Sequence, residues 1–287
     1  MDAQETHDTT ITKHAGGVTV RKRPMLSALA VAVLVVFAGC SSDGEDSTPG
    51  GSDSTTTTGA SVSGTIVVSA AASLTDSFTT IKDDFVADNP DADITINFGS
   101  SGALSTQIQE GAPADVAAFA DTTPMDTLAD ADLLASEPQI FARNKLIIVT
   151  KPGNPDGIAG LADLANAGVV SLCVDTAPCG KFADQILGDA GVTIPEGNVT
   201  RGADVKATLT AVAEGDAVAG IVYVTDAESI AGQVDTVEIP EAENVVANYP
   251  IAVVKASESA ELAEAFQAYV LSDAGQAVLS EAGFLAP

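Results

Sequence analysis

From residue 64 onward the apolar positions follow two alternating rhythms. Short β-branched runs are each followed by a stretch with apolar residues every third or fourth position. The run 65–70 (TIVVSA) reads as a buried strand. The next stretch, 74–89, puts Leu74, Phe78, Ile81, Phe85 and Val86 on one helical face, and Pro90 stops it. A strand follows at 93–98, then a short helix at 102–111 with Leu104 and Ile108 inward. A third strand is expected at 116–120, a helix around 124–134 and a strong strand at 146–150. Beyond it the pattern predicts a helix near 161–165, a strand at 169–174 and helices at 179–190 and 205–214. The chain continues with a buried strand at 219–224, strands at 234–239 and 245–254, and helices at 262–271 and 275–282. Strands alternating with helices predict an α/β fold of parallel sheets covered by helices on both faces. There is no internal repeat and no glycine-rich loop of Walker or dinucleotide type, which counts against a nucleotide-binding enzyme.

The first 63 residues follow neither rhythm. Arg21, Lys22 and Arg23 precede an apolar stretch at 26–38, too short for a membrane span, which needs about 20 apolar residues. It ends in Phe37-Ala38-Gly39-Cys40, which resembles the cleavage box of bacterial lipoproteins, although Phe37 stands where leucine is usual. Residues 1–39 therefore read as an N-terminal extension with a lipoprotein signal peptide, and Cys40 as the lipidated residue. An uncleaved anchor or ordinary secretion is the alternative. Residues 40–63 are rich in Ser, Thr, Gly and Asp and read as a flexible tether.

Charge changes the picture of partners. The 287-residue chain has a formal net charge of −28, and without residues 1–39 it keeps 37 acids against 8 bases, a net of −29. Such a surface repels nucleic acid and anionic membranes, so neither is an expected partner apart from the lipid anchor. Both histidines, His7 and His14, lie upstream of Cys40. A Cys–His dyad, a Ser–His–Asp triad and a histidine-ligated zinc site are thereby excluded from the rest of the chain. With Cys40 assigned to lipid, Cys173 and Cys179 remain as an even pair that can close a disulfide outside the cytoplasm. A reactive or metal-binding thiol is the competing reading.

Candidate chemistry sits at strand ends. Ser73 and Ser101 each follow a strand and open a helical stretch, and Tyr223 ends the buried run Gly220-Ile221-Val222-Tyr223. Helix starts present unpaired N–H groups and the positive end of a dipole, so several converging make an anion cradle without Lys or Arg. Ser73-Leu74-Thr75-Asp76 also has the form of a capping box, which would use Ser73 with no ligand at all.

Several linked segments resemble the molybdate-binding proteins of ABC transporters. They are AAASLTDSF at 70–78, GSSGALSTQI at 99–108, GAPADV at 111–116, APCGKFA at 177–183, GIVYVTDA at 220–227, YPIAVV at 249–254 and GF at 283–284. The resemblance implies a two-lobed periplasmic-binding-protein fold of type II with crossovers near 144–145 and 248–249. Lobe 1 would be 64–144 plus 249–287, and lobe 2 would be 145–248. It implies that Ser73 and Ser101 donate hydroxyl and backbone N–H groups, Cys179 and Val205 backbone N–H groups, and Tyr223 its phenol. Cys179 stands where the family usually has a small residue, and the segment leading to Val205 matches less sharply.

What the resemblance implies about function is an extracytoplasmic, lipid-anchored monomer that is not an enzyme and carries no cofactor. It would bind molybdate, and tungstate with it, and deliver the anion to a membrane permease driven by a cytoplasmic ATPase. Molybdenum would be held as molybdate, through its oxygens, with no direct protein–metal bond. The alternatives are a receptor for another oxyanion (sulfate, phosphate or tungstate alone), a thiol-dependent enzyme using Cys179, and a surface adhesion module.

Overall fold

The structure, a computed structural model, describes residues 61–287. The signal peptide, Cys40 and most of the tether lie outside the described residues. Seventeen strands and α-helices follow in order: β1 (Gly64–Ala71), α1 (Thr75–Asp88), β2 (Ala92–Gly99), α2 (Ser101–Gln109), β3 (Val116–Ala118), α3 (Thr122–Asp130), β4 (Gln139–Thr150), β5 (Val170–Cys173), α4 (Pro178–Asp189), β6 (Val199–Gly202), α5 (Val205–Ala213), β7 (Ala219–Tyr223), α6 (Val224–Ser229), β8 (Asp235–Glu238), β9 (Val246–Val253), α7 (Ala260–Leu271) and α8 (Asp273–Glu281). The α/β alternation is the one the hydrophobic pattern predicts. The fold is two-lobed, and the long strands β4 and β9 join the two halves of its sheet.

Hydrogen-bonded strands run in the order β2-β1-β3-β9-β4-β7-β5-β6, with β8 also on β4. In the first half β1 pairs in parallel with β2 and β3, and in the second β5 pairs in parallel with β6 and β7. The sheet is mixed rather than parallel, which corrects the expectation. β9 runs antiparallel to β3 and β4, and β4 runs antiparallel to β7 and β8. The reason lies in β4. Its first part, from Gln139 to Lys145, pairs with β9, and its second, from Leu146 to Thr150, pairs with β7. A strand that leaves one half and enters the next without turning meets its neighbours head to tail.

The pattern missed the first part of β4 because Arg143, Asn144 and Lys145 interrupt its apolar run. Asn144 is buried there, with its amide fully engaged. It also missed β6, a half-buried edge strand, and α6, a helix of six residues. The helix expected at 161–165 is a 3₁₀ helix, Leu161–Asn166.

The core of the first half is a run of aromatic contacts. Phe85 packs edge-on to Phe266, Phe266 to Phe78, Phe78 tilts on Phe141, and Phe141 meets Tyr249. Tyr249 in turn packs edge-on against Phe284 and Tyr223. Edge-to-face pairs contribute about 0.5–1.5 kcal/mol beyond their buried area. This run carries rigidity from the core of α1 and α7 to the place where β4, β7 and β9 come together.

Candidate functional site

A small cavity lies where helix starts from both halves meet. Its walls include Ser73, Ser101, Cys179, Val205 and Tyr223 together with Ser100, Ala120 and Asp204. All five residues expected to act on an anion therefore face one space, although they are spread over 150 positions of sequence.

Ser73 lies in a 3₁₀ turn, Ala72–Leu74, between β1 and α1. The capping box does not form: Leu74 occupies the N-cap of α1 and no side chain caps it. The Ser73 hydroxyl lies instead 2.9 Å from the Tyr249 hydroxyl. Ser101 is the first residue of α2, and its Oγ accepts the Ala120 N–H at 3.0 Å. Having accepted that bond, the hydroxyl keeps its proton free to donate. Cys179 follows Pro178 at the start of α4, and a disulfide ties it to Cys173 at the end of β5. Neither sulfur is then available as a nucleophile. Gly180 permits the tight turn, since a Cβ there would overlap the Val174 carbonyl oxygen. Val205 opens α5, whose N-cap Asp204 accepts the Ala207 N–H at 2.9 Å. That bond turns the carboxylate toward its own helix.

Tyr223 ends β7 with its side chain buried, and its hydroxyl has no hydrogen-bond partner among the described residues. The Ser100 hydroxyl is in the same state. A buried polar group without a partner costs roughly 1–3 kcal/mol, so two at one cavity mark a place built for a polar guest. Burial above all holds the Tyr223 phenol well above its usual range, so it can only donate or accept as a neutral group. No side chain caps α2 or α4, so their first-turn N–H groups are also unclaimed by capping.

No Lys or Arg lines the cavity. Lys181 reaches Asp121 Oδ2 at 2.6 Å and Thr123 Oγ1 at 2.8 Å, and Lys206 reaches Asp76 Oδ2 at 2.9 Å. Lys82, Lys145, Arg201 and Lys255 are in ion pairs with Asp83, Glu241, Asp184 and Asp132. Arg143 bonds Asn248 and the Ala286 carbonyl, and Lys151 bonds the Gly215 carbonyl. Every cation of the described residues is committed elsewhere. The donors that remain are hydroxyls and backbone N–H groups, which suit an anion bearing no proton. Behind Tyr223, the fully buried Asp226 is pushed up to about 7 by desolvation, an effect that Lys206, 3.7 Å away, only partly opposes.

The sequence pattern did not single out Ser100, Asp204 or Tyr249 for the site. Ser100 was visible only as part of the GSSG segment, while the Tyr249 hydroxyl meets Ser73 from 176 positions away. No group of three or more His, Cys, Asp or Glu able to hold a metal exists among the described residues. No helix there is long and apolar enough to cross a membrane.

Residues 66–285 match the family model described as bacterial extracellular solute-binding protein. The molybdate-binding protein ModA of Mycobacterium tuberculosis (strain H37Rv) is 41% identical over 264 residues, covering 92% of this chain and 97% of that protein. Among solved structures, the substrate-binding domain of a putative molybdenum ABC transporter from Clostridium difficile is 28% identical with a TM-score of 0.59, covering 78% of this chain and 99% of that one. The periplasmic molybdate-binding protein of Azotobacter vinelandii shares the fold, with a TM-score of 0.71 at 21% identity, over 77% of this chain and 99% of its own. By the reach of that family match and the identity to its relatives, the chain belongs to the bacterial extracellular solute-binding proteins.

Proposed function

We propose that this chain is the extracytoplasmic receptor of a molybdate importer, a binding protein and not an enzyme. It captures molybdate, and tungstate with it, between its two lobes and hands the anion to a permease with a cytoplasmic ATPase. The observation that carries the reading is the convergence of Ser73, Ser101, Cys179, Val205 and Tyr223 on one cavity lined by no cation. In this reading Ser73, Ser101 and Tyr223 donate hydroxyl protons, and Ser73, Ser101, Cys179 and Val205 donate backbone N–H groups. Molybdenum is held through its oxygens alone.

Lobe 1 takes 64–144 plus 249–287 and lobe 2 takes 145–248, with the crossovers on β4 and β9. Outside the described residues, a lipid on Cys40 holds the monomer at the membrane and residues 40–63 serve as the tether. A tetrahedral dianion without a proton satisfies every donor. Monoprotonated phosphate brings a proton that needs an acceptor, where the hydroxyls are turned to donate and the Asp204 carboxylate is drawn to its own helix, a mismatch costing roughly 1–3 kcal/mol. Sulfate has no such proton and is discriminated by size.

Isothermal titration calorimetry of the purified protein with molybdate, tungstate, sulfate and phosphate tests the reading. Tight binding of molybdate and tungstate, with sulfate and phosphate far weaker, is the expected result. Preference for sulfate or phosphate would replace it with the other-oxyanion reading.

A further inference from the structure

Tyr249 lines no part of the cavity, yet its hydroxyl decides what Ser73 can do there. Among the described residues the Tyr249 oxygen has two hydrogen-bond neighbours, Ser73 Oγ at 2.9 Å and Asn144 Nδ2 at 3.5 Å. The Asn144 amide can face only one way. Its Oδ1 accepts the Lys145 N–H at 2.9 Å, which leaves Nδ2 to donate to Thr225 Oγ1 at 2.9 Å and toward Tyr249. An amide nitrogen accepts nothing. Of the two groups within hydrogen-bond distance only Ser73 Oγ can accept the Tyr249 proton, at 2.9 Å, while the neighbouring Tyr223 hydroxyl makes no bond of that length; the Ser73 proton is thereby turned away from Tyr249.

We infer that Tyr249, oriented by Asn144, is a positioning residue that fixes the Ser73 hydroxyl as a donor into the cavity and so sets the site's preference for proton-free oxyanions. The inference rests on the molybdate-receptor reading above and adds the residues that enforce its selectivity. Burial keeps the Tyr249 phenol protonated far above neutral pH, so the relay does not titrate away. Its ring is held edge-on by Phe141, Tyr223 and Phe284, which fixes the place of the hydroxyl oxygen beside Ser73. Ser101 is treated alike by a different route, through the Ala120 N–H that its oxygen accepts. Asn144 and Tyr249 also lie on the adjoining strands β4 and β9, with Ala142 registered to Tyr249 and Asn144 to Ala247. The relay thus runs through the segment that joins the two halves.

The test is calorimetry with molybdate and with inorganic phosphate near neutral pH, on the parent, Tyr249→Phe, Ser73→Ala and the double variant. Tyr249→Phe keeps the ring and its packing. We expect it to weaken molybdate about three- to tenfold, the range of one hydrogen bond. Phosphate should lose less, because a released Ser73 hydroxyl can accept its proton, so the molybdate preference narrows. In the Ser73→Ala background the Tyr249 change should cost nothing further. Equal weakening of both anions, additive effects in the double variant, or parent affinity in Tyr249→Phe each overturn the inference while leaving the receptor reading intact. A parent that does not bind molybdate, or Ser73→Ala at parent affinity, overturns the receptor reading and the inference with it.

Discussion

Lys181 on α4 donates to the carboxylate of Asp121, just past β3, at 2.6 Å, so a residue of the second half of the sheet is bonded to one of the first. Asp121 is almost wholly buried and the lysine only half so. The same closure brings Gly102 on α2 beneath the Thr176 carbonyl oxygen, where a Cβ would overlap it. Gly102→Ala should therefore hold the α2 and α4 helix starts apart. Molybdate affinity is expected to fall at least tenfold, mostly through faster release, while urea unfolding without ligand changes little. Stopped-flow dissociation and a denaturation curve check the two halves of this expectation.

On the proposed reading, Ser101→Ala and Tyr223→Phe each remove one donor to a charged guest. Such a bond contributes roughly 1.5–3 kcal/mol, so each variant should bind molybdate about tenfold to a hundredfold more weakly. Neither opens a large cavity, and thermal unfolding of the ligand-free protein should stay near that of the parent. Parent affinity in both variants removes these residues from the site.

Much of this was legible in the sequence, and what was not has a physical cause. Strands β1, β2, β7 and β9 and helices α1, α4 and α5 announce themselves through a buried face with a regular period. Ser73, Ser101 and Tyr223, which line the cavity, were visible because strand ends and helix starts mark where an α/β sheet binds anions. β4 hid its first part because Asn144 is a buried polar residue whose partners, Thr225 and Tyr249, lie 81 and 105 positions away. The role of Tyr249 was hidden for the same reason. A side chain that acts through another leaves no local pattern. The antiparallel pairings of β4 and β9 follow from where strands end in space, which periodicity does not record.

The bond between Cys173 and Cys179 closes a loop with a sequence separation of 6 at the base of α4. Alkylation without reductant, read by mass spectrometry, should label neither sulfur in the secreted protein. Replacing both with alanine should lower stability by about 2 kcal/mol on the loop-entropy account. Molybdate binding should weaken as well, because the Cys179 N–H loses its anchor. Two labelled thiols would return the reactive-cysteine alternative.

Asp226 makes stability depend on pH in an unusual sense. Its carboxyl is raised from 3.8 to about 7 in the fold, so between about pH 4 and 7 the folded chain holds a proton that the unfolded chain has lost. Its contribution to stability falls as pH rises through that window and levels off above it. Asp226→Asn removes the titration. The variant should be more stable than the parent by roughly 2–4 kcal/mol at pH 8, with the gap closing toward pH 4. Urea unfolding across a pH series measures both values.

The central claim is that a chain with 28 excess negative charges holds a dianion with neutral donors alone. Stopped-flow molybdate binding across a salt series tests it most directly. Added ions screen the acidic shell over a Debye length of about 10 Å at 0.1 M, whereas short hydrogen bonds in a closed cavity feel salt little. The account predicts an association rate that rises with ionic strength while the dissociation rate stays nearly constant. An association rate that falls as salt rises would mean that Lys181, Arg201 or Lys206 draws the anion in, and would contradict the neutral cradle.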